Sequence, residues 1–343
     1  MRTFWMPPEW HKQDATFLTW PHRPEIWRGL HDECEVAFAQ IAAAMSNDQP
    51  LYISVPDLKW ARHVKAMVLK AGGLLENLHL LLIDSNDVWC RDHGPTVVYE
   101  NDGGHQRRVF VDWEFNAWGD KYASELDQLV AEKLALALGF DTVQPKLVME
   151  GGGIETNGAG DLLTTESVLL NPNRNPGVTQ DALEAALRRY LGVENIIWLG
   201  DGLTGDDTDG HIDDLSRFTD ERTIVTMMPE DRGHHDYETL AENLRRLREA
   251  TPARGGRFDV IELPMPEPVA FKDELLPASY ANFYIGNGQI LVPTFNQATD
   301  ARALGILSEC FPGRRVIGID CRAVVSQYGA IHCISQQLPT APE

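Results

Sequence analysis

The chain has 343 residues, 43% hydrophobic, 24% charged and 8% aromatic, the make-up of a folded globular protein long enough to build a core without staples. Thirty basic against fifty-one acidic side chains give a formal charge of −21, a surface that repels phosphate backbones and anionic lipid and draws cations inward. Nucleic acid and membranes are therefore poor partners. Five cysteines (Cys34, Cys90, Cys310, Cys321 and Cys333), an odd number with no C-x-x-C pair, argue against a disulfide framework or a structural zinc site and fit a reducing cytoplasm. The first ten residues do not read as a signal peptide, and no apolar run approaches the ~20 residues of a membrane span.

In chain order, apolar spacing of three and four predicts helices over about 31–46, 58–71, 124–139, 180–191, 236–250 and 299–310. Gly72-Gly73, Gly139, Gly192 and Gly313 follow four of them as stops. Runs rich in β-formers lie between: 51–55, 78–83, 96–99, 109–113 and 146–149, then 162–165, 196–199, 223–227, 259–263 and 279–285, and last 289–293, 315–319 and 331–336. From residue 58 this reads five times as a helix, a strand and two further strands joined by a turn, over 58–113, 124–170, 180–227, 236–295 and 299–337. Repetition at that period points to a pseudo-symmetric array. The fifth unit lacks its third strand, and 16–20 can supply it and close a ring with no open sheet edge. No Pro/Gly/Ser-rich linker interrupts the pattern, so one closed domain spanning 1–343 is expected; an ordinary α/β sheet is the alternative from the same elements.

Four polar stretches follow or end different strands, where a scaffold places working groups. They are 86–95 with Asp92, 150–153 with Glu150, 205–214 with His211 and Asp213, and 329–337 with Cys333. A ring brings all four to one centre. Several easy readings fail: no phosphate-cradling glycine motif completes, no H-E-x-x-H or G-x-S-x-G is present, and a calcium loop centred on Gly210 would start at Gly205 and end at Ser216. Taken singly, each residue has a bland reading. Cys333 is a buried small hydrophobe, Asp92 beside Arg91 a surface ion pair, Glu150 a turn residue, and His211-x-Asp213 an acidic loop. His332, next to Cys333, projects to the opposite face of a strand and reads as structural. Taken together they set a thiol, an imidazole and three carboxylates side by side. That composition suits a planar guanidinium, which pairs with carboxylates two bonds at a time. The bound cation would in turn favour the thiolate.

At these residues the sequence resembles the agmatine deiminase and bacterial peptidyl-arginine deiminase family of the guanidine-modifying pentein superfamily. The matching segments run nearly the length of the chain: Met6-Pro7-Pro8-Glu9-Trp10, Trp89-Cys90-Arg91-Asp92-His93-Gly94-Pro95, Phe115-Asn116-Ala117-Trp118-Gly119 and Glu150-Gly151-Gly152. Further on come Leu162-Leu163-Thr164-Thr165-Glu166, Asn171-Pro172-Asn173-Arg174-Asn175-Pro176, Asp209-Gly210-His211-Ile212-Asp213 and Ile331-His332-Cys333. The resemblance implies a five-bladed α/β propeller of pseudo-fivefold symmetry and a set of roles. Cys333 would attack the guanidinium carbon, and His211 would serve as general acid and then general base. Asp92 and Asp213 would grip the guanidinium nitrogens, and Glu150 would hold the His211 ring. No metal or organic cofactor is implied. The sequence departs from the agmatine-cleaving pattern at Gln327-Tyr328-Gly329-Ala330, where a glycine-rich run ending in asparagine is usual. It departs also at Gly153 and Glu155 (usually serine and histidine) and at Asp120 (commonly glycine). These places bear on the substrate's tail rather than on the reaction.

The expected function is hydrolysis of a guanidinium to a ureido group plus ammonia, with agmatine as substrate, N-carbamoylputrescine as product and putrescine synthesis as the role. Peptidyl-arginine deimination and amidino transfer are alternatives on the same centre. Among partners, a small cationic guanidine is expected, and a homo-oligomer is compatible with the sequence. Trp5, Trp10 and Trp89 are candidates for lining the mouth by cation–π contact, with core packing the commoner fate; Trp89 is carried as a substrate-binding residue. Asp207 and Asp209 read either as a subsite for a second ammonium or as a solvated acidic loop. Two readings from other classes are a metal-dependent hydrolase on Asp207, Asp209, His211 and Asp213, and a polyamine-binding module without turnover.

Overall fold

The computed structural model describes residues 2–341. Its helices follow the apolar spacing. Gln180–Leu191 buries Leu183, Leu187 and Leu191, one stripe at four-residue intervals, starts where the Thr179 hydroxyl accepts the Ala182 N–H, and ends at Gly192 with φ 70°. Leu58–Lys70 begins where the Asp57 carboxylate accepts the N–H groups of Lys59 and Trp60 at 2.7 and 2.9 Å. His31–Ser46, Tyr237–Glu249 and Ala298–Cys310 lie within a residue of the spans expected.

Five sheets share one plan. An antiparallel hairpin runs from an inner to a middle strand, and a helical crossover then adds an outer strand parallel to the middle one. The hairpin Glu155–Thr156 with Asp161–Thr165 takes Asn195–Leu199 in this way, Ser216–Phe218 with Thr223–Met227 takes Asp259–Leu263, and Tyr284–Ile285 with Gln289–Thr294 takes Arg315–Asp320. In a fourth sheet Thr96–Asp102 and His105–Val111 take Asp141–Val143, with Thr3–Trp5 added at the inner edge. The fifth joins the two ends of the chain. Ser335–Pro339 pairs antiparallel with Gln13–Thr19, which continues in parallel to Leu51–Val55 and Leu78–Leu82. The 16–20 run thus fills the fifth unit as expected, and the fold is the α/β pentein propeller. A two-stranded hairpin, Ala270–Phe271 with Glu274–Leu275, stands outside the five. Among the described residues no helix is long and apolar enough to cross a membrane.

Four spans differ from expectation for identifiable reasons. The helix expected over 124–139 starts only at Val130, after a 3-10 turn Asp127–Leu129. There the Asn86 side chain takes the N–H groups of Leu126 and Asp127, while Asp127 takes those of Asn86 and Asp87. Residues 146–149 reach only a single parallel bridge, Val148 with Glu114, while the Asn175 side chain holds the N–H and C=O of Val148 on its other side; Asp141–Val143 is the strand of that sheet. The run 279–285 is extended only at Tyr284–Ile285, and the run 331–336 only from Ser335. The residues lost from both runs are the ones that turn toward the ring's centre.

Candidate active site

Each inner strand is preceded, within two to five residues, by a short turn, and each turn delivers polar groups to one place. The turn Cys90–His93 before Thr96–Asp102 carries Asp92, and the 3-10 turn Gly151–Gly153 before Glu155–Thr156 follows Glu150. The turn Ile212–Asp214 before Ser216–Phe218 carries Asp213 and follows His211. Cys333 sits two residues ahead of Ser335–Pro339. The sheet of Tyr284–Ile285, Gln289–Thr294 and Arg315–Asp320, to which no site residue was assigned from the sequence, contributes Asn282, two residues ahead of Tyr284–Ile285.

The five expected residues converge. His211, completely buried, has Nδ1 at 3.8 Å from Asp92 Oδ1 and 3.9 Å from Asp213 Oδ1, and Nε2 at 3.8 Å from Glu150 Oε2. These are ion-pair separations, longer than hydrogen bonds, so the expected Glu150–His211 hydrogen bond is an open contact here. The Cys333 thiol donates to Asp213 Oδ2 at 3.5 Å and accepts from Asn282 Nδ2 at 2.9 Å. Asp213 is therefore the common neighbour of thiol and imidazole. Both His211 nitrogens, Glu150 Oε2 and Asp213 Oδ1 are buried with no hydrogen-bond partner. Buried polar groups are normally satisfied, and a cluster of open ones pointing at one another marks the seat of a ligand.

Surrounding residues fix this geometry. Asp92 Oδ1 accepts the Gly152 N–H at 3.0 Å and its Oδ2 accepts the Trp118 indole N–H at 3.1 Å. Trp118 reaches it from an unusual backbone: Ala117, Trp118, Gly119 and Asp120 are all left-handed, at φ 48°, 57°, 95° and 60°. Such a run costs roughly 1–2 kcal/mol per side-chain-bearing residue. It is held by Asn116, which caps the Gly119 N–H at 2.9 Å, and by Arg174, which donates to the Trp118 carbonyl at 2.9 Å. Arg174 also donates to Glu150 Oε1 at 2.7 Å and to Asp209 Oδ2 at 2.6 Å. His332 is not on a strand. Its Nδ1 lies 2.7 Å from Asp213 Oδ2 and its Nε2 2.8 Å from Glu9 Oε1, and Glu9 in turn receives Arg91 at 3.0 Å and Arg217 at 2.6 Å. The reading of His332 as structural thus acquires content: it braces Asp213. Asn282, Trp118, Arg174 and Glu9 were not singled out from the sequence. The sequence reading put Asn282 inside the expected strand 279–285, and only the shortening of that strand to Tyr284–Ile285 brings it ahead of an inner strand.

Electrostatics follow from burial and crowding. Burial alone would suppress the His211 charge, but Asp92, Glu150 and Asp213 together outweigh it and hold the imidazole at about 9. Burial lifts Asp92 to about 6, with His211 pulling the other way and Asp213 and Glu150 adding to the rise. Burial opposes the Glu150 charge also, yet His211 and Arg174 bring that carboxyl below its ordinary value. The Cys333 thiol is pushed far up by burial and by Asp213, Asp214 and Asp92. The site thus combines a protonated histidine, a protonated thiol and an excess of negative charge.

A cavity of about 270 Å³ leads to the thiol. Asp92 and Cys333 form its buried floor, Trp89 and Trp118 its walls, and Tyr122 and Asp207 part of its exposed rim. Trp89 lies where the sequence reading put it. Trp5 and Trp10 do not: Trp5 donates to the Gly158 carbonyl and stacks on Tyr99, and Trp10 packs on the core. The metal set fails on geometry, because Asp209 is taken by Lys121 at 2.8 Å and by Arg174, and Asp207 by the Tyr122 hydroxyl at 2.6 Å.

The class defined by this ring of five turns around a thiol, an imidazole and carboxylates is the pentein propeller. The chain belongs to the Porphyromonas-type peptidyl-arginine deiminase family, whose model matches residues 5–339. Among its relatives, a Shewanella frigidimarina protein named "Putative agmatine deiminase" is 37% identical, over 98% of this chain and 94% of that one. Two solved structures are similar throughout. The agmatine deiminase of C. jejuni with substrate bound has TM-score 0.90 at 32% identity, covering 100% of this chain and 98% of that one. The agmatine deiminase of Enterococcus faecalis has TM-score 0.90 at 31% identity, covering 98% of this chain and 96% of that one.

Proposed function

We propose that the protein hydrolyses a guanidinium group to a ureido group and ammonia by way of Cys333, with agmatine as substrate and N-carbamoylputrescine as product. The observation that carries this is the cluster of unpartnered buried atoms, His211 Nδ1 and Nε2, Glu150 Oε2 and Asp213 Oδ1, around a thiol at the end of a cavity. A planar cation with N–H donors in a fork satisfies those carboxylates as water cannot.

The chemistry follows from the charges. Docking of the guanidinium between Asp92 and Asp213 offsets the negative field that keeps the thiol protonated, and the proton leaves through the cavity. The thiolate adds to the guanidinium carbon, held at contact distance by the same carboxylates. As the C–N bond to one terminal nitrogen breaks, the His211 imidazolium gives that nitrogen its proton and ammonia departs, leaving an amidino thioether on Cys333. The neutral imidazole then takes a proton from water, hydroxide adds to the same carbon, and the C–S bond breaks as the added hydroxyl gives its proton to the departing sulfur, releasing the neutral ureido product and restoring the thiol. Glu150 and Asp92 stabilise the imidazolium in both halves, as the acid of a triad does. The mechanism calls on no metal or organic cofactor.

Agmatine is favoured over an arginyl peptide by the small cavity and by Asp207 at its rim, and the names of the relatives support it. A small cationic guanidine is then the partner, in the cytoplasm, in a route to putrescine. Ammonia and ureido product are to be scored on agmatine, free arginine and an arginyl peptide. Turnover of agmatine is expected; turnover of the peptide and not of agmatine would replace the substrate and spare the mechanism, and an active Cys333→Ala protein would overturn the mechanism.

A further inference from the structure

The mouth of the cavity holds an arrangement that the reaction does not use. Three side chains meet there from distant parts of the chain: Arg28, which follows the 3-10 turn Pro24–Trp27; Glu274, from the hairpin outside the five sheets; and Tyr328, five residues ahead of Cys333. Arg28 Nη1 donates to Glu274 Oε2 at 2.6 Å and the Tyr328 hydroxyl donates to Glu274 Oε1 at 2.5 Å. Arg28 also hydrogen-bonds the Tyr328 hydroxyl, and its guanidinium lies 4.7 Å from the centre of that ring. Arg28 and Tyr328 line the cavity, whereas Glu274 grips them from outside it. Among the described residues Arg28 is the only lysine or arginine of the lining, which also holds Asp87, Asp92 and Asp207; Lys121 stands outside it, 3.8 Å from Asp207 Oδ1.

The backbone gives an independent sign that these side chains are held on purpose. Arg28 has φ 54° and Tyr328 φ 70°, left-handed values that glycine takes freely and that cost other residues roughly 1–3 kcal/mol. Such conformations persist where the surroundings over-determine them, as at ligand clamps.

We infer that Glu274 is a specificity-determining residue. By engaging both Arg28 and Tyr328 it masks the one cation of the cavity, so that the outer end presents a negative field to the tail of a guanidine. An ammonium tail is accepted and a carboxylate tail rejected. With Glu274 neutralised, Arg28 becomes a free cation at the mouth and the preference moves the other way. The inference rests on the proposed reading only for the orientation of the ligand, guanidinium inward.

The test uses three guanidines with one head and different tails: agmatine (ammonium), butylguanidine (uncharged) and 4-guanidinobutanoate (carboxylate). Their affinities are measured by titration calorimetry on the Cys333→Ala protein, so that none is consumed, alone and with Glu274→Gln or Glu274→Gln plus Arg28→Ala. One charge lost at about 6 Å from the tail, at an effective dielectric of ~40, changes each charged ligand's affinity by about tenfold. Glu274→Gln is therefore expected to move the agmatine to guanidinobutanoate ratio ten- to a hundredfold toward the carboxylate, with butylguanidine within threefold. Adding Arg28→Ala restores the original net charge and should restore the ratio. A ratio unchanged within threefold in Glu274→Gln, or not restored in the double variant, overturns the inference and leaves the proposed function standing. Failure of all three guanidines to bind overturns both.

Discussion

Asp92→Asn separates what the site does for catalysis from what it does to the fold. Asp92 is only 5% exposed, and its carboxyl lies at about 6 instead of the ordinary 3.8. Each tenfold change in proton affinity is ~1.4 kcal/mol, so holding this group ionised costs the folded state about 3 kcal/mol at pH 7. The cost has a definite sign with pH. A carboxyl raised in the folded state contributes stability that is full below 3.8 and is lost as pH rises through about 6, so at pH 4.5 the penalty has fallen to about 1 kcal/mol. Asparagine removes the charge but accepts at one atom only. It keeps the bond from Gly152 or the one from Trp118 and forfeits the other, for ~1 kcal/mol. Asp92→Asn should therefore be about 2 kcal/mol more stable than wild type at pH 7 and nearly equal to it at pH 4.5. At ~2 cal/mol/K per residue of unfolding entropy, the gain at pH 7 is about 3 °C in Tm. Thermal unfolding at both pH values measures it, and ammonia release from agmatine should fall at least a hundredfold in the same protein. A variant less stable than wild type at pH 7, or a gain of equal size at both pH values, would refute the reasoning, since a burial penalty must vanish with the charge.

The other predictions concern the slot, its bracing and its titration. A Cβ at Gly152 would stand 2.5 Å from His211 Nδ1, 3.0 Å from Asp92 Oδ1 and 3.1 Å from Asp213 Oδ2, in the middle of the proposed guanidinium seat. Gly152→Ala should raise the KM for agmatine a hundredfold or more and, because the buried His211 ring must give way, lower stability by about 1–3 kcal/mol while circular dichroism keeps its wild-type shape. Arg174→Ala strands the buried Glu150 and leaves Asp209 to Lys121 and Asn173; loss of a buried ion-pair partner costs about 3–5 kcal/mol, to be read as a fall in urea midpoint together with lost activity. Agmatine affinity for Cys333→Ala should fall about tenfold per pH unit below about 6, as Asp92 takes up its proton. A flat calorimetric profile from pH 5 to 7 would show that Asp92 does not hold the guanidinium.

How far the sequence carries this reading depends on whether a residue's partners are near in the chain. Helices such as Gln180–Leu191 were legible because cap, stripe and stop all lie within thirteen residues. The ring was legible because the same helix-strand-hairpin order recurs, and the missing strand could be sought at the other end of the chain. Residues 146–149 misled because they have the composition of a strand but pair at one bridge only, Val148 with Glu114, while Asn175, twenty-seven residues beyond Val148, takes that residue's remaining N–H and C=O. His332 misled in a similar way. Alternation along a strand put it opposite Cys333, but the strand starts two residues later, and the turn sends its ring to Asp213 while the thiol reaches the same carboxylate. Trp118 and Arg174 lie in segments that match the family, but their roles, on Asp92 and on Glu150, rest on distant partners that the local sequence does not show. Asn282 is the instructive case between these extremes. Nothing in the residues around it suggests chemistry and the sequence reads it as strand, yet the structure places a turn ahead of every inner strand, and polar stretches had been assigned to the other four. In a pseudo-symmetric ring the position within the unit carries information that residue type does not: once the inner strands are fixed, the one remaining turn, in the unit 236–295, is where the amide that donates to the thiol is found.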